Sequence, residues 1–411
     1  MAVVVVHKRD IAQRFDMEYN HSIQARRTTM TRTFLIIALL TVFLAGCTTP
    51  SDNDTPDDTE EPIMNQTDCT TTTIDASSMH TATLDAVFLF QHATLCEGLD
   101  LVDGRIVFEE GVTEGRLETD VFTVAPFREL VPSWNIAIDQ DAKIRVRVQV
   151  GNDTGMSDPF LMAYWTASYK TSLANQEDDF GKVYIDTIVN RADDPLTKIK
   201  FIVGFDSGQP EIKSLSFTTV APESTLPIAL DEEQLKPLSI VVPAKQQLSV
   251  PAIGNAICSP TSLAMVLAMF GTDQDAATVA GLVYDEGPGI YGNWSFNVSY
   301  AGGLNVLSSR VEYIDDLAVV VSYLEQGVPI VLSIRTTDIS QLDGTIMAYP
   351  AGHLLVLRGL EQVDGTWFAL VNDPAEYTDE AVPRSYPLEQ LLSAWRGYAY
   401  VVTDQSLSDL G

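Results

Sequence analysis

Positive charge is scarce in this chain. Lysine and arginine number 25 against 56 aspartates and glutamates, a formal net charge of −31. A surface this acidic repels phosphates, which argues against nucleic acid as a partner. Solvation of an acidic surface accounts for the charge without any cation site. Cysteine and histidine are scarce too, at four and five in 411 residues. No Cys/His cluster has metal-ligand spacing, and His80 and His92 stand alone. The N-terminal apolar run, Phe34 to Leu44, is too short to span a bilayer comfortably as a permanent helix. What is present in quantity is apolar surface: 45% of residues are hydrophobic and 20% charged, enough to bury cores in two domains at this length.

The first residues read as an address rather than a domain. Arg32 precedes the run Phe34 to Leu44, which ends in Leu44-Ala45-Gly46-Cys47. A charged start, a short apolar stretch and small residues before a cut describe a secretory signal over residues 30–46. Met30 makes a conventional signal start, so residues 1–29 read as a mis-called extension. Cysteine directly after Leu-Ala-Gly resembles the lipobox of bacterial lipoproteins. That resemblance implies a diacylglyceryl thioether on Cys47 and a lipid-anchored protein on the extracytoplasmic face of a cell membrane. Residues 47–66 are rich in proline, threonine and acidic residues and read as a disordered tether.

With Cys47 set aside, Cys69 and Cys96 fall in one N-terminal region and can form a disulfide outside the cytoplasm. Cys258 is then the odd thiol, and an odd thiol in an exported protein is a candidate reactive group.

Between residues 67 and 220 the pattern is short and strand-like. Lys143 to Val150 alternates with a period of two, and Ala86 to Phe90 and Lys198 to Val203 are short apolar or alternating runs. No long segment holds a helical period. The expectation is an all-β domain, an antiparallel sandwich of jelly-roll type. Trp134 and Trp165 could offer a sugar-stacking face for a cell-surface glycan, although large aromatics more often pack in cores. Prolines 222, 227 and 237 with Asp231-Glu232-Glu233 mark a linker over residues 221–238.

Residues 239–405 mix helical and strand patterns, an α+β domain. Ser259-Pro260 opens a helix that Gly271 stops, which puts Cys258 at a helix N-terminus. Unpaired N–H groups and the helix dipole there favour a thiolate. His353, the one histidine of this part, begins an apolar strand. Asp364-Gly365 signals a hairpin whose return strand ends in Asn372-Asp373. A strict two-residue turn leaves His353 and Asp373 out of step, so a bulge is expected at Gly359. Thiol, imidazole and carboxylate at element ends are the parts of a cysteine nucleophile site.

Four segments in order carry a family resemblance: Gln247; Cys258-Ser259-Pro260-Thr261-Ser262; Gly352-His353-Leu354-Leu355-Val356; and Asn372-Asp373-Pro374-Ala375. The domain resembles the papain-fold cysteine peptidases of bacteriocin-processing (double-glycine) type, and more closely their secreted relatives without a transporter. The resemblance implies a papain-like fold, Cys258 as nucleophile, His353 as base and acid, Asp373 orienting His353, and Gln247 sharing the oxyanion with the Cys258 N–H. Gln246 beside it leaves that last assignment open. Gly292 to Asn297 also resembles a segment of these relatives, and Asn293, Trp294 and Asn297 could line a substrate cleft or form a buried polar loop. The implied activity is a cofactor-free peptidase or amidase on a peptide or protein substrate. Acyl transfer on the same site, and a non-catalytic surface-binding lipoprotein, are the alternatives.

Overall fold

A computed structural model of the chain describes residues 75–76, 79–304 and 307–404. Cys47, Cys69, the signal segment, the tether and the first residues of the N-terminal domain lie outside the described residues. Among those described, the strands form three sheets.

The alternating segments of the N-terminal region build the first two sheets. One runs through Phe122–Phe127, Leu196–Asp206, Lys143–Asn152 and Phe160–Thr166; the other centres on Glu129–Ala137 and Glu211–Val220. Asp75–Ala76 pairs in parallel with Phe122–Phe127, and the other pairings here are antiparallel. Val146, Val148 and Phe201 from one sheet and Leu215, Phe217 and Trp134 from the other share a single hydrophobic core. Lys143–Asn152 shows why: every second side chain from Ile144 to Val150 is buried, as a period of two demands of a strand with one inward face.

Ala86 to Phe90 departs from the strand expected of it. The segment is a short helix, Ala86–Gln91, because the Asp85 carboxylate accepts from Phe88 N at 2.8 Å and caps its first turn. Leu89 and Ala86 are buried beneath it.

The third sheet belongs to the C-terminal region. Its strands run in the order Leu307–Tyr313, Trp395–Asp404, Ile330–Ile334, His353–Val363, Thr366–Asn372 and Pro383–Pro387. Val331, Val356 and Tyr400 share one core with Leu263, Val279 and Val298 of the helices Cys258–Met269, Ala276–Val283 and Trp294–Gly303. Leu332, Leu355 and Val401, next to them along the same strands, share another with Leu317–Glu325 and Leu388–Ala394. Because neighbouring strand residues point to opposite faces, helices cover both sides of this sheet.

Two details of this sheet position the site. The hairpin closes on Asp364-Gly365, both at positive φ, and pairs Val363 with Thr366. A register shift between Leu357 and Gly359 makes Arg358 the bulged residue, one position before the glycine expected to absorb it. Gly359 itself is required by a crossing chain: a Cβ there would lie 2.2 Å from Leu238 O, where the short strand Leu238–Ser239 pairs against it.

The N-terminal and C-terminal cores interpenetrate. Phe296, from the helix Trp294–Gly303, sits in the first core, while Val131 and Val220 of the N-terminal sheets join the helical core of the other region. The segment read as a linker is anchored as well, with Ser224 Oγ donating to Asp315 at 2.7 Å and Leu230 and Leu235 packing on the C-terminal core.

Candidate active site

Cys258 is the first residue of the helix Cys258–Met269. Three hydroxyls on its opening turn hold it in place. Ser259 Oγ meets the Tyr400 hydroxyl at 2.8 Å, Thr261 Oγ1 donates to Ile257 O at 2.7 Å, and Ser262 Oγ donates to Leu354 O at 3.0 Å. The last of these ties the nucleophile helix to the residue after His353. The buried helix start is thus fixed by side chains, not by solvent.

Cys258, a partly exposed residue, lies close enough to the His353 imidazole for each to shift the other's protonation. His353 Nε2 in turn lies 2.7 Å from Asp373 Oδ1, so Nδ1 is the ring nitrogen left for sulfur. The Tyr349 ring stacks on the imidazole with centroids 4.0 Å apart and planes 12° from parallel. His353 and Asp373 are buried. The Asp373 carboxylate also accepts from Ala375 N at 2.9 Å, the Tyr349 hydroxyl at 3.0 Å and the Tyr386 hydroxyl at 2.6 Å.

The hairpin register explains how Asp373 reaches His353. Val356 is paired with Asn372, so continued pairing would set His353 opposite Ala375. The strand ends at Asn372 instead, and the turn through Pro374 brings the carboxylate back to the ring. The Arg358 bulge supplies one residue of the offset and the strand end the rest.

The electrostatics follow from these contacts. Burial pushes the Cys258 thiol up, but the hydrogen bond and charge of His353 and the N–H groups of Leu354 and Ser259 outweigh it, and the thiol lies below its ordinary value. Burial pulls His353 down, and the Asp373 carboxylate, with help from Cys258, reverses this and raises it to about 10. Burial raises Asp373, while the charge and hydrogen bond of His353 and the Tyr386 hydroxyl bring it to about 2. Tyr349 and Tyr386 are pushed up by burial and by Asp373, and so remain hydroxyl donors. The shifts thus run toward thiolate, imidazolium and carboxylate.

Gln247 is buried beside this row. Its Nε2 donates to Gly254 O at 2.6 Å, and its Oε1 is buried without a hydrogen-bond partner. The second Nε2 hydrogen is not used by that bond. Gln246, by contrast, points into a turn, where its Oε1 accepts from Ser249 N at 3.0 Å.

Asn293, Trp294 and Asn297 are elsewhere. Asn293 is fully buried, caps the helix Trp294–Gly303 by accepting from Phe296 N at 3.0 Å, and donates to Asp285 at 2.7 Å. Asn297 is fully buried and donates to Tyr291 O and Asn293 O. The Trp294 ring packs on Tyr398 with centroids 4.6 Å apart. Trp294 is partly exposed, and both Trp294 and Asn297 lie on the helix Trp294–Gly303 rather than in a loop. Trp134 and Trp165 do not form an exposed stacking face either. Both are buried, edge-on to each other at 6.0 Å and packed on Phe296. Cys96 is buried in the strand Ala93–Glu97, and Cys69 is outside the described residues.

Sequence reasoning missed Tyr349, Tyr386 and Tyr400. Tyr349 is four residues before His353, a proximity that could have flagged it. Tyr386 and Tyr400 had no local signal, because they arrive from other strands. Among the described residues, no group of three or more His, Cys, Asp or Glu side chains is arranged to hold a metal ion.

Two family models match parts of the chain. Residues 239–403 match the Peptidase C39 like family, and residues 102–218 match the Peptidase C39 N-terminal domain. The match to the peptidase family model thus falls on the C-terminal region, and a β-rich region precedes it. No curated protein matches the chain. Among solved structures, the peptidase domain of Streptococcus ComA, a bi-functional ABC transporter involved in quorum sensing, is 20% identical over 38% of this chain and 97% of that chain, with a TM-score of 0.28. The xylan binding module CBM86 from Roseburia intestinalis is 15% identical over 34% of this chain and 96% of its own, with a TM-score of 0.20. The Podospora anserina GH26-CBM35 mannanase is 16% identical over 46% and 34%, with a TM-score of 0.21. Likenesses this shallow say nothing of substrate.

Proposed function

We propose that the chain is an exported cysteine peptidase or amidase of papain-like architecture that cleaves peptide-like amide bonds at Cys258. The observation that carries this reading is the His353–Asp373 hydrogen bond of 2.7 Å, with Cys258 beside the imidazole and its thiol held below its ordinary value. The Cys258 thiolate attacks the carbonyl carbon, and the carbonyl π pair moves to oxygen. The Cys258 N–H and the second Nε2 hydrogen of Gln247 hold that oxyanion; one such donor is typically worth about 2.7–4 kcal/mol. As the oxyanion collapses, the C–N bond breaks and the His353 imidazolium gives its proton to the leaving amine. Water then attacks the thioester, with His353 taking its proton, and collapse of the second oxyanion breaks the C–S bond, releasing the acid and returning the Cys258 thiolate beside the His353 imidazolium. Asp373 keeps the ring oriented and its charge balanced throughout.

Thiol labelling tests the reading. An iodoacetamide or epoxide probe labels Cys258 in the native protein, C258A abolishes that label, and H353A slows alkylation near neutral pH. A label that persists in C258A, or a rate untouched by H353A, sinks it. Product analysis with added amine separates hydrolysis from acyl transfer. Leu44-Ala45-Gly46-Cys47 supports a lipid anchor on the extracytoplasmic face, and C47A is expected to move the protein from the membrane to the soluble fraction.

A further inference from the structure

The helix Trp294–Gly303 belongs to the peptidase region but is held at both ends by the β-rich region. At its start, the Asp186 carboxylate accepts from Trp294 N, and at its end Lys213 Nζ donates to Gly302 O at 2.9 Å and to Leu304 O. Burial raises the Asp186 carboxyl to about 7, so what it supplies at the helix start is an acceptor for Trp294 N, while Lys213 at the C-terminus complements the helix dipole. Between them, Ser295 Oγ donates to Pro132 O at 2.6 Å, and Phe296 fills the space between Trp134 and Trp165. The cap residue Asn293 is held through Asp285, which also takes Ser172 N at 2.9 Å and Ser172 Oγ at 2.6 Å from the β-rich region.

Asp186 is delivered by a costly turn. The strands Gly181–Tyr184 and Thr187–Asn190 are joined by Ile185-Asp186 alone, and Ile185 has φ of +60°. A β-branched residue in that region is a genuine outlier, and such turns ordinarily place glycine there. Strain of this kind persists where surrounding contacts over-determine it, and here the contacts are those of a buried carboxylate on another region's helix.

From that helix a continuous path leads to the nucleophile. The Trp294 ring packs on Tyr398, two residues along the same strand is Tyr400, and the Tyr400 hydroxyl holds Ser259 at 2.8 Å. Ser259 follows Cys258, and its N–H is one of the groups that favour the thiolate. Resting on the catalytic reading of Cys258, we propose that Asp186 is a positioning residue of the site: through Trp294, Tyr398 and Tyr400 the β-rich region sets the start of the Cys258 helix.

The test uses the full chain and compares D186N with D186A. Both lack the charge, but the amide oxygen of D186N can still accept from Trp294 N, so a difference between them reports the loss of that acceptor and of side-chain volume, not of charge. The expected result is that D186A moves the pH midpoint of Cys258 alkylation upward and slows it roughly tenfold near neutral pH, while D186N stays close to the native protein. Y400F is expected to behave like D186A, and the D186A/Y400F double variant to be no slower than either alone, because both act on one path. D186S, too short to reach Trp294 N, replaces D186A if that variant does not fold. Native midpoints and rates in D186A or D186S, or effects that add in the double variant, overturn the proposal. An unreactive Cys258 in the native protein would instead refute the catalytic reading itself.

Discussion

Four donors converge on the Asp373 carboxylate: His353 Nε2, Ala375 N and the hydroxyls of Tyr349 and Tyr386. A buried carboxylate is tolerated because every direction it could accept from is filled. The charge it keeps is what holds His353 as imidazolium against burial. The pH dependence of stability follows with a definite sign. Asp373 falls from an ordinary 3.8 to about 2, so its contribution is present above 3.8 and lost as pH drops toward 2. His353 rises from 6.5 to about 10, so its contribution is complete below 6.5 and lost as pH climbs to 10. Cys258, held below its ordinary 9, titrates with the opposite sign, so melting temperature plotted against pH is expected to fall between 6.5 and 10 in C258A and to lose that decline in C258A/H353Q. Parallel curves for the two would contradict the pairing.

At the scale of elements, the site depends on one strand being approached from three directions. His353–Val363 pairs with Ile330–Ile334, Thr366–Asn372 and the short strand Leu238–Ser239. The third approach is possible only at Gly359, and it continues through Ile240 N, which donates to the bulged Arg358 O at 2.8 Å. That same chain reaches Gln247 a few residues later, after Asn372 Nδ2 has clamped Val242 O at 3.0 Å. Gly359→Ala is therefore expected to push the Leu238 strand away and destabilise the protein by about 1–3 kcal/mol. Hydrogen exchange at the Ile240 amide should rise sharply in this variant, and unchanged protection there would refute the account.

At the scale of the molecule, the two regions share side chains to a degree that leaves neither core complete alone. Phe296 is a peptidase-region residue with 0% exposure that fills the β-rich core, and a Cβ on Gly302 would lie 1.4 Å from Asn135 Oδ1 of the other region. Cores joined this way should melt together. Calorimetry of the full chain is expected to give one cooperative transition for the described residues, and F296A to lower stability by about 3–5 kcal/mol while leaving that single transition. Two separated transitions would show that the shared contacts do not couple the regions.

The sequence by itself determined what is local and periodic. It carried the alternation of Lys143 to Val150, the helix after Ser259-Pro260, the Asp364-Gly365 hairpin, and the four segments that carry the resemblance to a peptidase family, because each depends on neighbours a few residues apart. It misread Ala86 to Phe90, where one capping aspartate outweighed a short apolar run. It located the offset between His353 and Asp373 and put the bulge within one residue of Arg358. The tertiary structure alone decided how that offset closes, which of two adjacent glutamines turns inward, that Tyr386 and Tyr400 serve the site, and that Trp134 and Trp165 pack on Phe296 of the other region rather than face solvent. Those outcomes rest on contacts between residues far apart along the chain. Such contacts are specified by packing of whole elements, and no local pattern encodes them.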